Sequence, residues 1–309
     1  SGFVGTYIAN RLSQRGIEVT IPTRRRERTK SLIIQPNIEM PEININAEGA
    51  LVELMRDKDV VINLVGVLPS RDVQLPYSKD FAEAHVELPK KIVAACKQAG
   101  VRRLLHMSAL GANPRGPSEY LCSKGDGEAV VMAAQGDLDV TVFRPSVIFG
   151  LGDSFLSMFA GVLRKLPFFP LGFGQARFQP VWVADVADAF VDSMGNPDTY
   201  GQAYDLVGPR IYTLRELVDY TAQLVGSTAR VVPLSEGWAY LQAGLMWLSP
   251  KPLMSPDNLR SMQVDSVCDG TCNPPAHWRP TALEAVAPTY VAHNTPKGKL
   301  DGFRYRAGR

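Results

Sequence analysis

The sequence predicts an α/β protein that begins with a doubly wound parallel sheet and ends with a smaller, mostly helical C-terminal lobe. Three observations support this fold class. Strand-like apolar segments alternate with helix-period segments over residues 1–150, which is typical of parallel α/β domains. The segment Val60–Val67 is rich in β-branched residues, and its apolar residues run on rather than alternate with polar ones, as expected of a strand covered on both faces. Residues 2–5 place two glycines directly before a predicted helix.

The predicted elements follow one another in the order that such a sheet requires. We expect helices at 6–15, Glu48–Met55, Lys79–Ala99 and Ser118–Ala134, and strands at Glu18–Thr23, Glu42–Asn46, Val60–Val67, Arg102–Ser108 and Asp139–Arg144. A strand at Gln179–Val183, a helix at Ala184–Met194 and a strand at Ala203–Val207 continue the alternation. We therefore assign residues 1–150 and 180–207 to one domain and residues 151–179 and 208–293 to a lobe for a substrate or partner. The basic tail, residues 294–309, is predicted to be mobile.

Composition narrows the class of protein. The 309 residues carry a formal net charge of +2. This small charge implies no broad positive potential that would attract nucleic acid or an anionic membrane. No stretch approaches the roughly 18–20 apolar residues that a bilayer-spanning helix needs. Cys268 and Cys272 form a lone Cys-x3-Cys pair, a poor zinc signature, so we predict free thiols in a reducing compartment and no metal site. The histidines lack ligand spacing, and His106, inside a predicted strand, is expected to be packed.

Two apolar segments of the second lobe leave alternatives open. One set of aromatic residues either lines a hydrophobic substrate pocket or packs between lobes; its members are Phe155, Phe159, Phe168, Phe169 and Phe173. The segment Trp238–Leu248 either packs in the core, which we favour, or lies at a membrane interface or on a partner.

The opening segment matches the end of a G-x-x-G-x-x-G turn. Gly2 and Gly5 would let a pyrophosphate approach the backbone closely, and the following helix would offer N–H groups and the positive end of its dipole. The first glycine and the first strand of this motif would precede Ser1. Because that strand is central in a doubly wound sheet, we expect about ten further N-terminal residues of strand type.

The end of the second strand predicts which dinucleotide is preferred. An acidic residue there would bond the ribose 2′-hydroxyl of NAD, whereas an arginine accommodates the 2′-phosphate of NADP. The sequence has Thr23 followed by the basic run Arg24-Arg25-Arg26. Because a guanidinium binds phosphate bidentately, we favour NADP(H) over NAD(H), with a basic solvated loop as the alternative.

A serine, a tyrosine and a lysine have the spacing needed for proton transfer beside a nicotinamide. Tyr120 and Lys124 lie four residues apart at the start of a predicted helix, hence on one face. Ser108 closes the preceding strand, twelve residues before Tyr120. An ammonium near the phenol is expected to lower the tyrosine pKa from about 10, and a serine hydroxyl would orient a carbonyl or alcohol. The alternative is that Lys124 is a surface lysine.

Together these residues resemble the short-chain dehydrogenase/reductase superfamily in its extended or atypical branch. More narrowly, the chain is similar to the nucleotide-binding accessory subunits of respiratory complex I and their bacterial relatives. The segments that carry this narrower resemblance are Val60–Gly66, Tyr120–Glu128, Arg144–Ala160, Gln179–Val186, Val207–Pro209 and Pro280–Ala285.

The resemblance implies a role for each candidate residue. The predicted cofactor contacts are Gly2, Phe3, Val4 and Gly5 along the pyrophosphate, Arg24 at the 2′-phosphate, Val65 and Gly66 beside the adenosine portion, and Ser108, Tyr120, Lys124, Pro145 and Ser146 around the nicotinamide. In the catalytic set, Tyr120 would be the acid/base, Lys124 its electrostatic partner and ribose ligand, and Ser108 the substrate or phenol partner.

The resemblance also implies a setting. Complex I members hold NADPH structurally, which predicts association with complex I subunits at a membrane-peripheral surface, in the mitochondrial matrix or the bacterial cytoplasm. Two alternatives remain: a free-standing reductase, dehydrogenase or sugar-nucleotide epimerase acting on a small carbonyl or alcohol, and a scaffold that binds no nucleotide.

Overall fold

The computed structural model describes residues 2–24, 30–68, 76–247 and 254–292, with the side chains of Lys30 and Ser31 left out. The predicted mobile tail, together with Arg25 and Arg26 of the basic run, lies outside these residues. The chain divides into two compact units. The first comprises Ser1–Pro145, Val183–Leu206 and Cys272–Ala276, and the second comprises Ser146–Trp182, Val207–Thr271 and His277–Arg309.

The first unit is built on parallel strands. Four of them pair in the order β10-β5-β4-β3, where β3 is Val60–Asn63, β4 is Arg103–Met107, β5 is Asp139–Pro145 and β10 is Gln202–Leu206. A separate parallel pair is formed by β1 (Val19–Thr20) and β2 (Ile38–Glu39). The predicted doubly wound parallel sheet is confirmed.

Seven α-helices of the described part belong to the first unit: α1 (Phe3–Gln14), α2 (Lys30–Ile33), α3 (Ala50–Met55), α4 (Lys79–Phe81), α5 (Leu88–Ala99), α6 (Glu119–Met132) and α8 (Val183–Ser193). A π-helical turn, Ala82–Glu87, joins α4 to α5. Val140 and Val142 of β5 belong to the core under α3, α5 and α6, while Phe143 contacts Phe190 of α8 at 4.2 Å between ring centroids. Successive residues of a strand point to opposite faces of the sheet, so Val142 and Phe143 show that helices cover both faces.

The second unit is mostly helical, as predicted. Its helices are α7 (Leu156–Leu163), α9 (Leu214–Val225), α10 (Glu236–Trp247), α11 (Pro256–Ser261) and α12 (Leu283–Val291). Its strands form short pairs: β6 (Ile148–Phe149) with β9 (Val181–Trp182), β7 (Phe168–Leu171) with β12 (Arg230–Pro233), and β8 (Arg177–Phe178) with β11 (Tyr212–Thr213). Phe159 and Phe169 lie in its core, and Phe168 is exposed.

Three sequence predictions about the fold were wrong. The strand expected at Glu42–Asn46 lies earlier, at Ile38–Glu39, because Ile38 and Met40 are the residues that bury against Ala9 of α1. Cys268 and Cys272 are both disulfide-bonded rather than free, since a turn at Gly270, with φ of +97°, folds the short segment back.

The third correction concerns the segment Trp238–Leu248, whose described residues, 238–247, do not pack wholly in the core; Leu248 lies outside the described residues. Its outer face is exposed at Trp238, Leu241 and Leu245, while Ala239 and Ala243 are buried. Small residues are the ones that fit here, because a Cβ on Gly172 would lie 2.4 Å from that of Ala239. No helix among the described residues is long and apolar enough to cross a membrane.

Candidate nucleotide-binding and active site

The start of α1 has the features of an anion-binding helix terminus. Gly2 is the N-cap residue, with extended backbone (φ −85°, ψ −171°), no side-chain cap and no acidic residue in the first turn. The amides of that turn therefore need another acceptor. A Cβ on Gly2 would meet nothing within 4 Å, and one on Gly5 would lie 3.5 Å from Leu64 Cδ1. Gly5 thus places α1 next to the loop that follows β3, while Val4 is buried and Phe3 contacts Tyr7 edge-to-face.

The loop after β3 is held by two buried side chains. The Val65 amide donates to Asn63 Oδ1 at 3.1 Å, and the Val67 amide donates to His85 Nε2 at 3.1 Å. Val65 and Gly66 themselves are exposed. The loop is therefore fixed from inside while its outer surface stays accessible to a ligand.

Ser108 follows the last residue of β4, and Lys124 bonds to that last residue. The Ser108 amide donates to Phe143 O at 2.7 Å, and the Lys124 ammonium donates to Met107 O at 2.6 Å. Ser108 is 3% exposed, and its Oγ has no hydrogen-bond partner among the described residues. A buried hydroxyl without a partner is costly, so this atom is suited to a bound ligand.

Tyr120 lies one helical turn before Lys124 on α6. Ser118 caps this helix by accepting from the Leu121 amide. The Tyr120 ring packs edge-to-face on His85 and Phe81, at 5.7 and 6.2 Å between centroids. The candidate acid/base is therefore oriented by the helix cap and by two neighbouring rings.

The titration of this pair differs from the sequence expectation. Burial raises the pKa of Tyr120 to about 12, whereas the sequence argument expected the ammonium to lower it. Burial also lowers the pKa of Lys124 to about 8, against the opposing charge of Glu128. The expectation was wrong because burial dominates both groups: it disfavours the charged phenolate of Tyr120 and the charged ammonium of Lys124. At neutral pH the phenol is protonated and poised to donate.

A charged network anchors α6 to the sheet below Lys124. Arg144 Nε donates to Glu128 Oε1 at 2.8 Å, and Arg144 Nη1 lies 3.7 Å from Asp205 Oδ1. Glu128 follows Lys124 by four residues on the same helix face. The network holds the helix that carries the candidate catalytic residues against β5 and β10.

The remaining candidates lie in three different surroundings. Arg24 is exposed and follows Thr23, which bridges to Glu42. Pro145 ends β5, and its carbonyl accepts from the Leu110 amide at 2.9 Å. Ser146 begins the second unit, where its hydroxyl donates to Ser266 O at 2.7 Å. The structure thus places Lys124 against Met107, the residue before Ser108, and Tyr120 one helical turn before Lys124, and the roles assigned to all of these candidates stay predictions.

Sequence reasoning missed Asn63, His85 and Ser123. His106 was expected to be packed and is buried, with Nδ1 3.0 Å from Asn63 Nδ2. Nothing in the spacing of these residues marks them, because they meet only through the packing of β3, β4, the π-helical turn and α6. Within the described residues, no group of three or more His, Cys, Asp or Glu side chains is arranged to hold a metal ion.

These features fit a dinucleotide. A glycine-capped helix terminus, an exposed loop at the carboxyl end of β3, a tyrosine–lysine pair on α6 and a buried serine whose hydroxyl has no partner within the described part of the chain are the features expected of a nucleotide-binding protein of the dehydrogenase/reductase type. A model of the "NAD dependent epimerase/dehydratase family" matches residues 1–207, and the chain belongs to this family.

Named relatives extend the comparison. The chain is 32% identical over 275 residues to "NADH dehydrogenase [ubiquinone] 1 alpha subcomplex subunit 9, mitochondrial" of Rattus norvegicus, covering 86% of this chain and 71% of that protein. It is 24% identical over 236 residues to "Ceramide reductase" of Caulobacter vibrioides, covering 76% and 72%. A solved structure, "MoeE5 in complex with UDP-glucuronic acid and NAD", superposes with a TM-score of 0.64 at 22% identity, covering 76% of this chain and 83% of that one.

Proposed function

We propose that this chain binds NADP(H) in its first unit and holds it as a structural or regulatory element in association with respiratory complex I. The observation that carries the proposal is the similarity, over 86% of the chain, to a protein named as a subunit of mitochondrial NADH dehydrogenase. The family model supports the nucleotide, and the geometry at the carboxyl ends of β3 and β4 supports its place.

The candidate cofactor contacts have complementary chemistry. The first-turn amides of α1 would bind the pyrophosphate, and Arg24 would take the 2′-phosphate through charge-assisted hydrogen bonds. Val65 and Gly66 would lie beside the adenosine portion. Ser108, Tyr120 and Lys124 would surround the nicotinamide ribose and amide, with Pro145 following at the end of β5.

The proposed location in the cell rests on the similarity to the same relative. Association with complex I subunits predicts a location at the membrane periphery, in the mitochondrial matrix or, for bacterial relatives, in the cytoplasm. The second unit is then a candidate surface for partners.

A second candidate function is a free-standing reductase, dehydrogenase or epimerase. The similarity to a protein named ceramide reductase favours it, as does the presence of all three residues of the Ser-Tyr-Lys set. A bound nicotinamide would supply or accept the hydride. The protonated Tyr120 would donate a proton to a developing alkoxide, Lys124 would stabilise the phenolate that results, and Ser108 would orient the carbonyl.

Cofactor content and turnover distinguish the two. The full chain is purified without added nucleotide, the retained nucleotide is identified by chromatography, and NADPH oxidation is followed against a panel of carbonyls and quinones. We expect retained NADP(H), a thermal shift with added NADPH, and no turnover.

Two other outcomes would contradict a structural role for NADP(H). Substrate-dependent loss of nicotinamide absorbance that falls at least about 100-fold in Tyr120→Phe would favour the reductase. Neither retained nucleotide nor a thermal shift would indicate a scaffold without a cofactor and would overturn the proposal.

A further inference from the structure

His85 joins the candidate nucleotide loop to the candidate catalytic helix. It lies in the π-helical turn between α4 and α5 and is 1% exposed. Its Nε2 faces the amide of Val67, 3.1 Å away, in the loop after β3. Its Nδ1 faces Ser123 Oγ, 2.9 Å away, on α6. One ring therefore contacts both parts of the site.

The hydrogen-bond pattern fixes which nitrogen carries the proton. The Val67 amide can only donate, so His85 Nε2 must accept. Ser123 Oγ donates its one proton to Tyr120 O, 2.9 Å away, because a carbonyl can only accept. Ser123 Oγ therefore accepts from His85, and the proton lies on His85 Nδ1. Two independent contacts thus require the same neutral tautomer.

The surroundings keep the ring neutral. Burial, together with the nearby charge of Lys124, lowers the pKa of His85 to about 3. A protonated ring would also place an N–H against the N–H of Val67. The bridge is therefore intact across the neutral pH range.

Packing holds the bridge at a fixed distance. The His85 ring stacks on Phe81 at 5.4 Å between centroids and contacts the ring of Tyr120. A Cβ on Gly127 of α6 would lie 1.8 Å from His85 O, so the helix approaches the π-helical turn as closely as the backbone permits. π-Helical turns often occur at functional sites.

We propose that His85 is a positioning residue that couples the nucleotide-binding loop at Val67 to the helix bearing Tyr120 and Lys124. The proposal rests on the proposed function, because the loop is assigned to the adenosine portion of NADP(H). It adds that nucleotide affinity and the orientation of Tyr120 depend on one buried, neutral imidazole.

Two substitutions separate the ends of the bridge. His85→Gln places an amide oxygen near the Nε2 position, which keeps the acceptor for Val67 and loses Ser123. His85→Asn places an amide nitrogen near the Nδ1 position, which keeps Ser123 and loses Val67. Ser123→Ala is the control at the α6 end, because it removes the bond to His85 Nδ1, together with the bond to Tyr120 O, and leaves the Val67 contact in place.

Three readouts are taken on the full chain with nucleotide-free protein and added NADPH. Long-range ¹H–¹⁵N correlation of ¹⁵N-histidine protein is expected to show the proton of His85 on Nδ1. His106 is the internal reference: Asn63 Oδ1 accepts from Val65, so Asn63 Nδ2 donates to His106 Nδ1 and its proton lies on Nε2. Amide hydrogen exchange at Val67 is expected to speed up in His85→Asn and to change little in His85→Gln.

The affinity for NADPH is expected to fall about tenfold in His85→Asn, the scale of one lost buried hydrogen bond, and by threefold or less in His85→Gln and Ser123→Ala. His85→Gln and His85→Asn each lose one hydrogen bond of the bridge, and Ser123→Ala loses two, so a merely structural role predicts affinity that follows thermal stability across the three variants. That result would overturn the inference, as would a proton on His85 Nε2 or unchanged Val67 exchange in His85→Asn. Failure of the wild type to bind NADPH would overturn the proposed function, and the tautomer and exchange measurements would still decide on the bridge.

Discussion

At the scale of single residues, Tyr120 and Lys124 owe their chemistry to burial. The ring of Tyr120 packs against the rings of Phe81 and His85, and Lys124 is 4% exposed. Removing a group from water penalises its charged form, so the tyrosine pKa rises and the lysine pKa falls. A neutral phenol beside a lysine that titrates near pH 8 is suited to donate a proton at neutral pH and to bind anions below pH 8.

Arg24 tests the cofactor preference. We expect Arg24→Ala to weaken NADPH binding by about 1–3 kcal/mol, or roughly 5- to 150-fold, and NADH binding much less, because only NADPH offers a 2′-phosphate to the guanidinium. Isothermal titration with both nucleotides measures the difference.

Arg102→Ala is a matched control for that experiment. Arg102 is also an exposed arginine, but it precedes β4 and lies 3.6 Å from Asp139, at the amino end of the strands. It should leave both affinities unchanged. Equal weakening of NADPH and NADH in Arg24→Ala would remove the phosphate assignment.

Arg103 joins the end of α8 to the start of β5 through hydrogen bonds to backbone carbonyls. Its buried guanidinium donates to Ser193 O and Met194 O, where α8 ends, and to Asp139 O. It also stacks on Tyr200 at 4.5 Å. A cation at a helix C-terminus is stabilised by the unpaired carbonyls there, so this arginine needs no carboxylate partner of its own.

At the scale of elements, α6 is positioned by two glycines. A Cβ on Gly125 would lie 2.6 Å from the backbone of Asn113 and Pro114, and a Cβ on Gly127 would lie 1.8 Å from His85 O. Glycine costs about 1 kcal/mol relative to alanine inside a helix. The two glycines in α6 offset that cost by allowing close approach on two sides.

Gly127→Ala is therefore expected to lower the free energy of unfolding by at least about 2 kcal/mol, as overpacking against backbone does. Gly244→Ala in α10 is the control, because a Cβ there meets nothing within 4 Å. It should be neutral or stabilise by up to about 1 kcal/mol. Urea unfolding measures both, and equal effects would contradict the close approach.

At the scale of the whole molecule, His85 links stability to pH. Its pKa is about 3 in the folded chain and 6.5 ordinarily. Between these values the unfolded chain binds a proton that the folded chain does not, so unfolding becomes more favourable as pH falls. The stabilisation that the folded chain gains while His85 is neutral in both states is complete above pH 6.5, and it is lost progressively as the pH falls toward 3.

The difference is measurable against His85→Gln, which cannot titrate. From pH 7 to pH 4.5 the wild type should lose roughly 2–3 kcal/mol more of its unfolding free energy than the variant. Denaturant titrations at the two pH values give the comparison. Parallel losses in both proteins would show that His85 titrates alike in the folded and unfolded chains.

Much of the fold could be predicted because local pattern and burial agree. The helix at Lys79–Ala99 and the strand at Asp139–Arg144 match the observed elements closely, since each is long and strongly periodic. The strand at Glu42–Asn46 failed because its alternation competes with Ile38 and Met40, whose burial against α1 decides the register. The prediction that α10 packs in the core failed because an apolar helix has the same sequence pattern whether its outer face is covered or exposed.

The sequence by itself determined the class of the fold and the chemistry of the candidate set, because glycine spacing, strand–helix alternation and the Tyr-x-x-x-Lys motif are local patterns. Only the tertiary structure decided how those groups titrate and what holds them. Burial is set by residues distant in sequence, and the His85 bridge joins a loop, a π-helical turn and α6 through contacts 18 and 38 residues apart. No local pattern records such contacts, so the environment of the site had to be read from the fold.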